Sequence, residues 1–227
     1  MNNINPDFAD TKKLINNCGK LIENLHSEKD PLQDDVLISM RNLINILQNT
    51  DSSLSADDFS DIGELGMSLL RSLFYKAQGG EQQQLFNEVS IAFAYWLARH
   101  QATIKQIDFT VNAIAVLANT YHDKISLESL YEASSFIICA IADDLKVPAN
   151  SLNPSDPWRL LNLNYAIIAT RTHTPELMES AFKTLLDNFP EDGSQFFKQG
   201  MNEMERLDYP SHVRVVMQRY YDQYSQD

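Results

Sequence analysis

Residues 175–189, PELMESAFKTLLDNF, return in outline 35 positions later as residues 210–224, PSHVRVVMQRYYDQY. Pro175 aligns with Pro210, Met178 with Val213, Ala181 with Val216 and Phe182 with Met217; Leu185, Leu186, Asp187 and Phe189 align with Tyr220, Tyr221, Asp222 and Tyr224. The apolar members of both stretches recur every three or four residues, the spacing of one face of an α-helix. Taken over 155–189 and 190–224, the pattern reads as one helical hairpin written twice, since neither copy can bury its stripe without its neighbour.

The rest of the chain reads the same way. Only 7 glycines and 8 prolines punctuate 227 residues, too few for the turns of a sandwich or barrel, and period-2 alternation is missing. With 44% hydrophobic residues there is ample material for a core. The expected fold is all-α, with about ten helices in antiparallel hairpins, packed as an α-α superhelix or a compact orthogonal bundle.

Helices are expected over 7–26, from Asp30-Pro31-Leu32-Gln33 onward, over 56–78 and over 81–100, with a polar loop from Gln48 to Ser55 and a Gly79-Gly80 stop. Two more follow, around Val111–Ala118 and Phe136–Ala142. Both are apolar on nearly every side, so they are expected to form the buried centre. The Pro- and Asn-rich segment 146–157 suggests a boundary between an N-terminal body, 1–150, and a C-terminal pair of hairpins, 151–227, packed together as one globule. In that second part, caps are read at Asp156-Pro157, Thr174-Pro175, Asp192 or Ser194, and around Pro210.

Trp158, Leu161, Tyr165 and Ala181 resemble part of the tetratricopeptide pattern over two units. Thr174 and Met178 stand where that pattern has small residues. The resemblance implies a manner of packing helix pairs and carries over no peptide-binding residue.

The formal charge is −13 and the isoelectric point about 4.7, with the acidic excess spread along the whole chain. Such a protein is repelled at long range by nucleic acid and by anionic bilayers, so neither is an expected partner. The N-terminal stretch Met1–Asp7 has no basic start and no apolar run, and the longest apolar stretches fall short of the roughly 18 residues that span a bilayer. A soluble, cytoplasmic protein is expected. Cys18 and Cys139 both sit on apolar stripes and read as inert core thiols.

Two local motifs suggest chemistry. Asp57-Asp58-Phe59-Ser60-Asp61 resembles the aspartate-rich motif of isoprenoid synthases, all-α enzymes that hold diphosphate through magnesium. Here the carboxylates fall in a first helical turn, where free N–H groups and the helix dipole favour acids, so capping accounts for them. Glu23 and His26 match one Glu-x-x-His pair of carboxylate-bridged di-iron bundles, which need two such pairs and two further glutamates. Neither a Cys-x-x-Cys pair, a His-Glu-x-x-His motif nor a glycine-rich phosphate loop occurs, and no cofactor is expected.

Five of the seven basic residues in the last third are arginines, and they lie among many aromatics. Tyr, Trp and Arg are the residues that dominate interface hot spots. The expected activity is therefore binding of a protein or peptide partner in a groove between the last four helices, with Trp158, Arg171, Arg214 and Tyr221 as contacts. Two alternatives stand beside it: a metal-dependent enzyme using Asp57, Asp58 and Asp61, and a structural subunit of a homo-oligomer.

Overall fold

The structure, a computed structural model, describes residues 6–25, 31–50, 53–74, 79–146 and 153–224. They form ten α-helices: α1 (Thr11–Leu25), α2 (Pro31–Gln48), α3 (Ala56–Phe74), α4 (Gly80–Arg99), α5 (Asp108–Thr120), α6 (Lys124–Ala140), α7 (Pro157–Arg171), α8 (Pro175–Asn188), α9 (Gly193–Arg206) and α10 (Ser211–Tyr224). The all-α expectation holds, and among the described residues there is no strand. The expected cap at Asp30 and half of the 146–157 boundary, residues 147–152, lie outside the described residues.

Helix ends follow local hydrogen bonding. α1 begins at Thr11 because the Asp10 carboxylate accepts the amide of Lys12 at 2.8 Å, while Asp7 is spent on the preceding turn, accepting from Ala9 at 3.0 Å. Asp123 accepts the Ser126 amide at the start of α6, and Asp156 accepts the Arg159 amide at 3.0 Å ahead of Pro157 in α7. Gly79 has φ of 84°, in the left-handed region where a residue bearing Cβ is strained.

The buried centre is α4, not α5 and α6. All seven residues from Ile91 to Leu97 are buried, since α4 packs against α1, α3, α5 and α6. α3 comes close because Gly66 lacks a Cβ, which would stand 2.3 Å from Cζ of Phe93. The Phe93 and Trp96 rings stack with centroids 6.0 Å apart, and Phe59 meets Trp96 edge to face at 5.4 Å. α5 and α6 each leave apolar side chains in water: Val116, Ile125 and Phe136 are exposed. An apolar surround on the helix therefore does not mean cover on every side.

Residues 101–107 cross the end of α6, where the Ile104 amide donates to the Ala140 carbonyl at 2.8 Å and the Ala142 amide donates to Ile104 at 3.0 Å. α7 then joins the two halves, packing on α5 and α6 as well as α8, with Tyr131 and Tyr165 stacked at 4.6 Å. One hydrophobic core runs through both halves. α8, α9 and α10 close around Phe182 and Phe197, both fully buried, with Tyr220 against each at 5.1 and 5.2 Å. Among the described residues no helix is long and apolar enough to cross a membrane.

Candidate functional site

α7 and α9 do not close completely on one another. Between them lies a half-open groove of about 390 Å³, walled by Ile167, Thr170 and Arg171 from α7 and by Phe196, Gln199, Glu203 and Met204 from α9. Asn119 at the end of α5 bounds it, Met217 of α10 lines it, and Leu207 and Tyr209 come from the α9–α10 connection. The lining is mainly apolar, with amides and charges among the apolar groups, the composition of a ligand-binding cleft.

Each wall has a local origin. On α7, Leu161, Tyr165, Ile168 and Ala169 are buried, which leaves Ile167 and Arg171, one turn apart, beside the groove. Ile167 is 40% exposed and Leu207 46%, so two large apolar side chains meet water at the same site. On the other wall, Gly200 lets α9 approach α10: a Cβ there would stand 2.6 Å from Sδ of Met217.

Arg171, Leu207 and Tyr209 also line an adjoining cavity of about 270 Å³, completed by His122, Leu127, His173 and Asp208. The Arg171 guanidinium donates to the Tyr121 carbonyl at 2.9 Å and lies 3.3 Å from Nδ1 of His122. Nε2 of His212 lies 3.0 Å from the His173 carbonyl. Burial, then the nearby His212, Lys124 and Arg171 charges, hold the His173 imidazole below its usual pKa. Burial chiefly raises that of Tyr209.

Of the four contacts expected from the sequence, Arg171 alone lines the groove. Trp158 is a correction: it is 3% exposed, packed with Phe189 at 6.3 Å, and so cannot meet a partner. Arg214 holds the α9–α10 connection, with Nε donating to the Tyr209 carbonyl at 2.9 Å and Nη2 to Leu207 at 3.2 Å. Tyr221 is half-buried against the core. The residues the sequence reading missed are Ile167, Phe196, Met204 and Leu207. One available signal was Ile167, an isoleucine on the helical face shared by Asn164 and Arg171.

Asp57, Asp58 and Asp61 are exposed in the first two turns of α3. Asp58 forms a capping box: its carboxylate accepts from the Ser55 amide at 2.8 Å and hydroxyl at 2.7 Å, while the Ser55 hydroxyl accepts from the Asp58 amide at 3.2 Å. The enclosed apolar cavity that diphosphate chemistry needs is not what these carboxylates face. Among the described residues no group of three or more His, Cys, Asp or Glu is placed to hold a metal ion. Glu23 is exposed on α1, and His26 lies outside the described residues.

The cysteine expectation is half corrected. Cys18 is buried, and burial pushes its thiol up to about 12. Cys139 is exposed.

Compared with protein-family models, with curated proteins and with solved structures, the chain matches none.

Proposed function

We propose that this protein is a non-enzymatic binding module that holds a segment of a partner polypeptide in the groove between α7 and α9. The observation that carries this reading is the exposure of Ile167 and Leu207 at the lining of one apolar cleft. Water against two such side chains is unfavourable, and an occupant that covers them gains about 25 cal/mol for each Å² of apolar surface removed from solvent. The amides and charges of Asn119, Gln199, Glu203 and Arg171 around them would orient a main chain laid along the cleft. The reading of 155–189 and 190–224 as paired hairpins supports it, because the cleft runs between the first helices of the two pairs.

The test is selection of short random peptides displayed on phage against the full chain. Enriched peptides are expected to lose binding to Ile167→Glu and Leu207→Asp, whose melting temperatures stay near that of the parent because both side chains already meet water. Enriched peptides that bind both variants undiminished, or no enrichment at all, would overturn the reading. Sedimentation of the pure chain adds the remaining outcome, a second copy as the natural occupant.

A further inference from the structure

The groove opens at Arg171 into a cavity that gathers one arginine and two histidines on an acidic chain, with one carboxylate, Asp208, on its lining. The chain carries −13, yet Arg171, His122 and His173 converge on this one cavity, with His212 and Lys124 close by. Among the described residues no carboxylate pairs with Arg171, and those nearby have other partners. Asp123 caps α6, Glu128 lies 3.6 Å from Lys124, Asp208 lies 3.8 Å from Arg214, and Glu203 in the groove lies 3.0 Å from Arg206. Arg171 itself is held by the Tyr121 carbonyl and the His122 ring, neither of which neutralises a guanidinium. The fork of that guanidinium suits a carboxylate, and the two imidazoles lining the cavity can each donate to one once protonated.

We propose that the occupant of the groove is an acidic peptide, with apolar side chains between α7 and α9 and an aspartate or glutamate against Arg171, His122 and His173. This rests on the binding-groove reading and adds the chemistry of the partner. Overall repulsion between two acidic chains is screened beyond about 8 Å at physiological salt, whereas a half-buried contact with Arg171 is screened much less. Selectivity then comes from the short range. A lysine or arginine placed against Arg171 would be rejected at contact distance.

Binding of a carboxylate stabilises the charged imidazoles, so the complex takes up protons. Affinity should rise as pH falls from about 8 to about 6, the range in which histidines change charge. The other charged and titratable groups around His173 are Arg171, His122, His212, Lys124 with its partner Glu128, Asp208 and Tyr209.

The experiment uses the peptides enriched on the full chain, synthesised with amidated and with free C-termini and measured by fluorescence anisotropy. They are expected to carry an acidic residue next to their apolar ones, to bind more tightly at the lower pH, and to weaken at least about tenfold, or about 1.4 kcal/mol, on Arg171→Gln. His173→Asn tests the same contact in case Arg171→Gln unfolds the α7 end, since asparagine tolerates the φ of 57° at that position. It should weaken the acidic peptides several-fold and flatten their pH dependence. Enriched peptides that are neutral or basic, that are lost on Ile167→Glu but indifferent to Arg171→Gln and His173→Asn, would overturn the acidic partner while leaving the groove standing. Peptides that bind only as free C-terminal acids, with no acidic side chain, would overturn it too.

Discussion

Arg159 in the first turn of α7 grips Asp192 just ahead of α9 with two hydrogen bonds, Nε to Oδ2 at 2.6 Å and Nη2 to Oδ1 at 2.5 Å. The side chains are only 20% and 10% exposed, so the pair ties one helix pair to the next where water screens it little. Removing one member of such a pair leaves the other charge partly buried and uncompensated. Asp192→Asn should therefore cost about 2 kcal/mol and lower the melting temperature by about 4–8 °C, measured by calorimetry. A shift of less than a degree would show that the pair contributes nothing net.

Two glycines in helices should respond with opposite signs to the same substitution. Replacing helical glycine by alanine normally stabilises by about 0.5–1 kcal/mol. At Gly19 in α1, nothing lies within 4 Å of the new Cβ, so Gly19→Ala should raise the stability by that amount. At Gly66 the Cβ would stand 2.3 Å from the Phe93 ring, which is 1% exposed and has no room to retreat. Gly66→Ala should cost about 1–3 kcal/mol. Urea unfolding of both variants reads the two signs directly.

The cap at α3 predicts a pH effect. Hydrogen bonds from the Ser55 hydroxyl and amide hold the Asp58 carboxyl below its ordinary 3.8. A folded pKa below the unfolded one gives stability that is present above the ordinary value and is lost as pH falls through the folded one. Asp58→Asn should accordingly melt lower than the parent at neutral pH, with the gap closing below about pH 4. Millimolar magnesium with diphosphate should shift neither protein; a magnesium-dependent rise abolished by Asp58→Asn would instead revive the metal-dependent alternative.

Thiol chemistry should split the two cysteines. Cys139, exposed on α6, should be alkylated rapidly by iodoacetamide in the native protein. Cys18 is buried with its thiol pushed up to about 12, and should react only once denaturant opens the core. Mass spectrometry should show one label under native conditions and two in guanidinium. Two labels under native conditions would mean that α1 opens readily.

How far the sequence carried the site can be judged from Trp158 and Ile167. Trp158 has the residue type of a contact, yet Asp156 and Pro157 start α7 so that the indole turns into the core against Phe189. Ile167 is a weak signal on its own, because a single isoleucine on a polar face is ordinary and only the nearness of α9 makes it one wall of a groove. That Arg171 reaches the surface was legible, because a long cation near a helix end stays there wherever that helix packs.

By itself the sequence determined what depends on neighbours along the chain: the all-α fold, the cap at Asp156, the capping acids in the first turn of α3, and the apolar stripes of α7 to α10, whereas Thr174 and Asp192, also read as caps, make no side-chain cap hydrogen bond. Hydrogen bonds three residues apart and periodicity of 3.6 are local properties, so they can be read from order alone. Only tertiary structure decided that α4 rather than α5 or α6 is enclosed, that Cys139 meets water while Cys18 does not, and that Ile167 and Leu207 share a groove. Periodicity marks which side of a helix is apolar. Whether another helix covers that side depends on packing between segments distant along the chain.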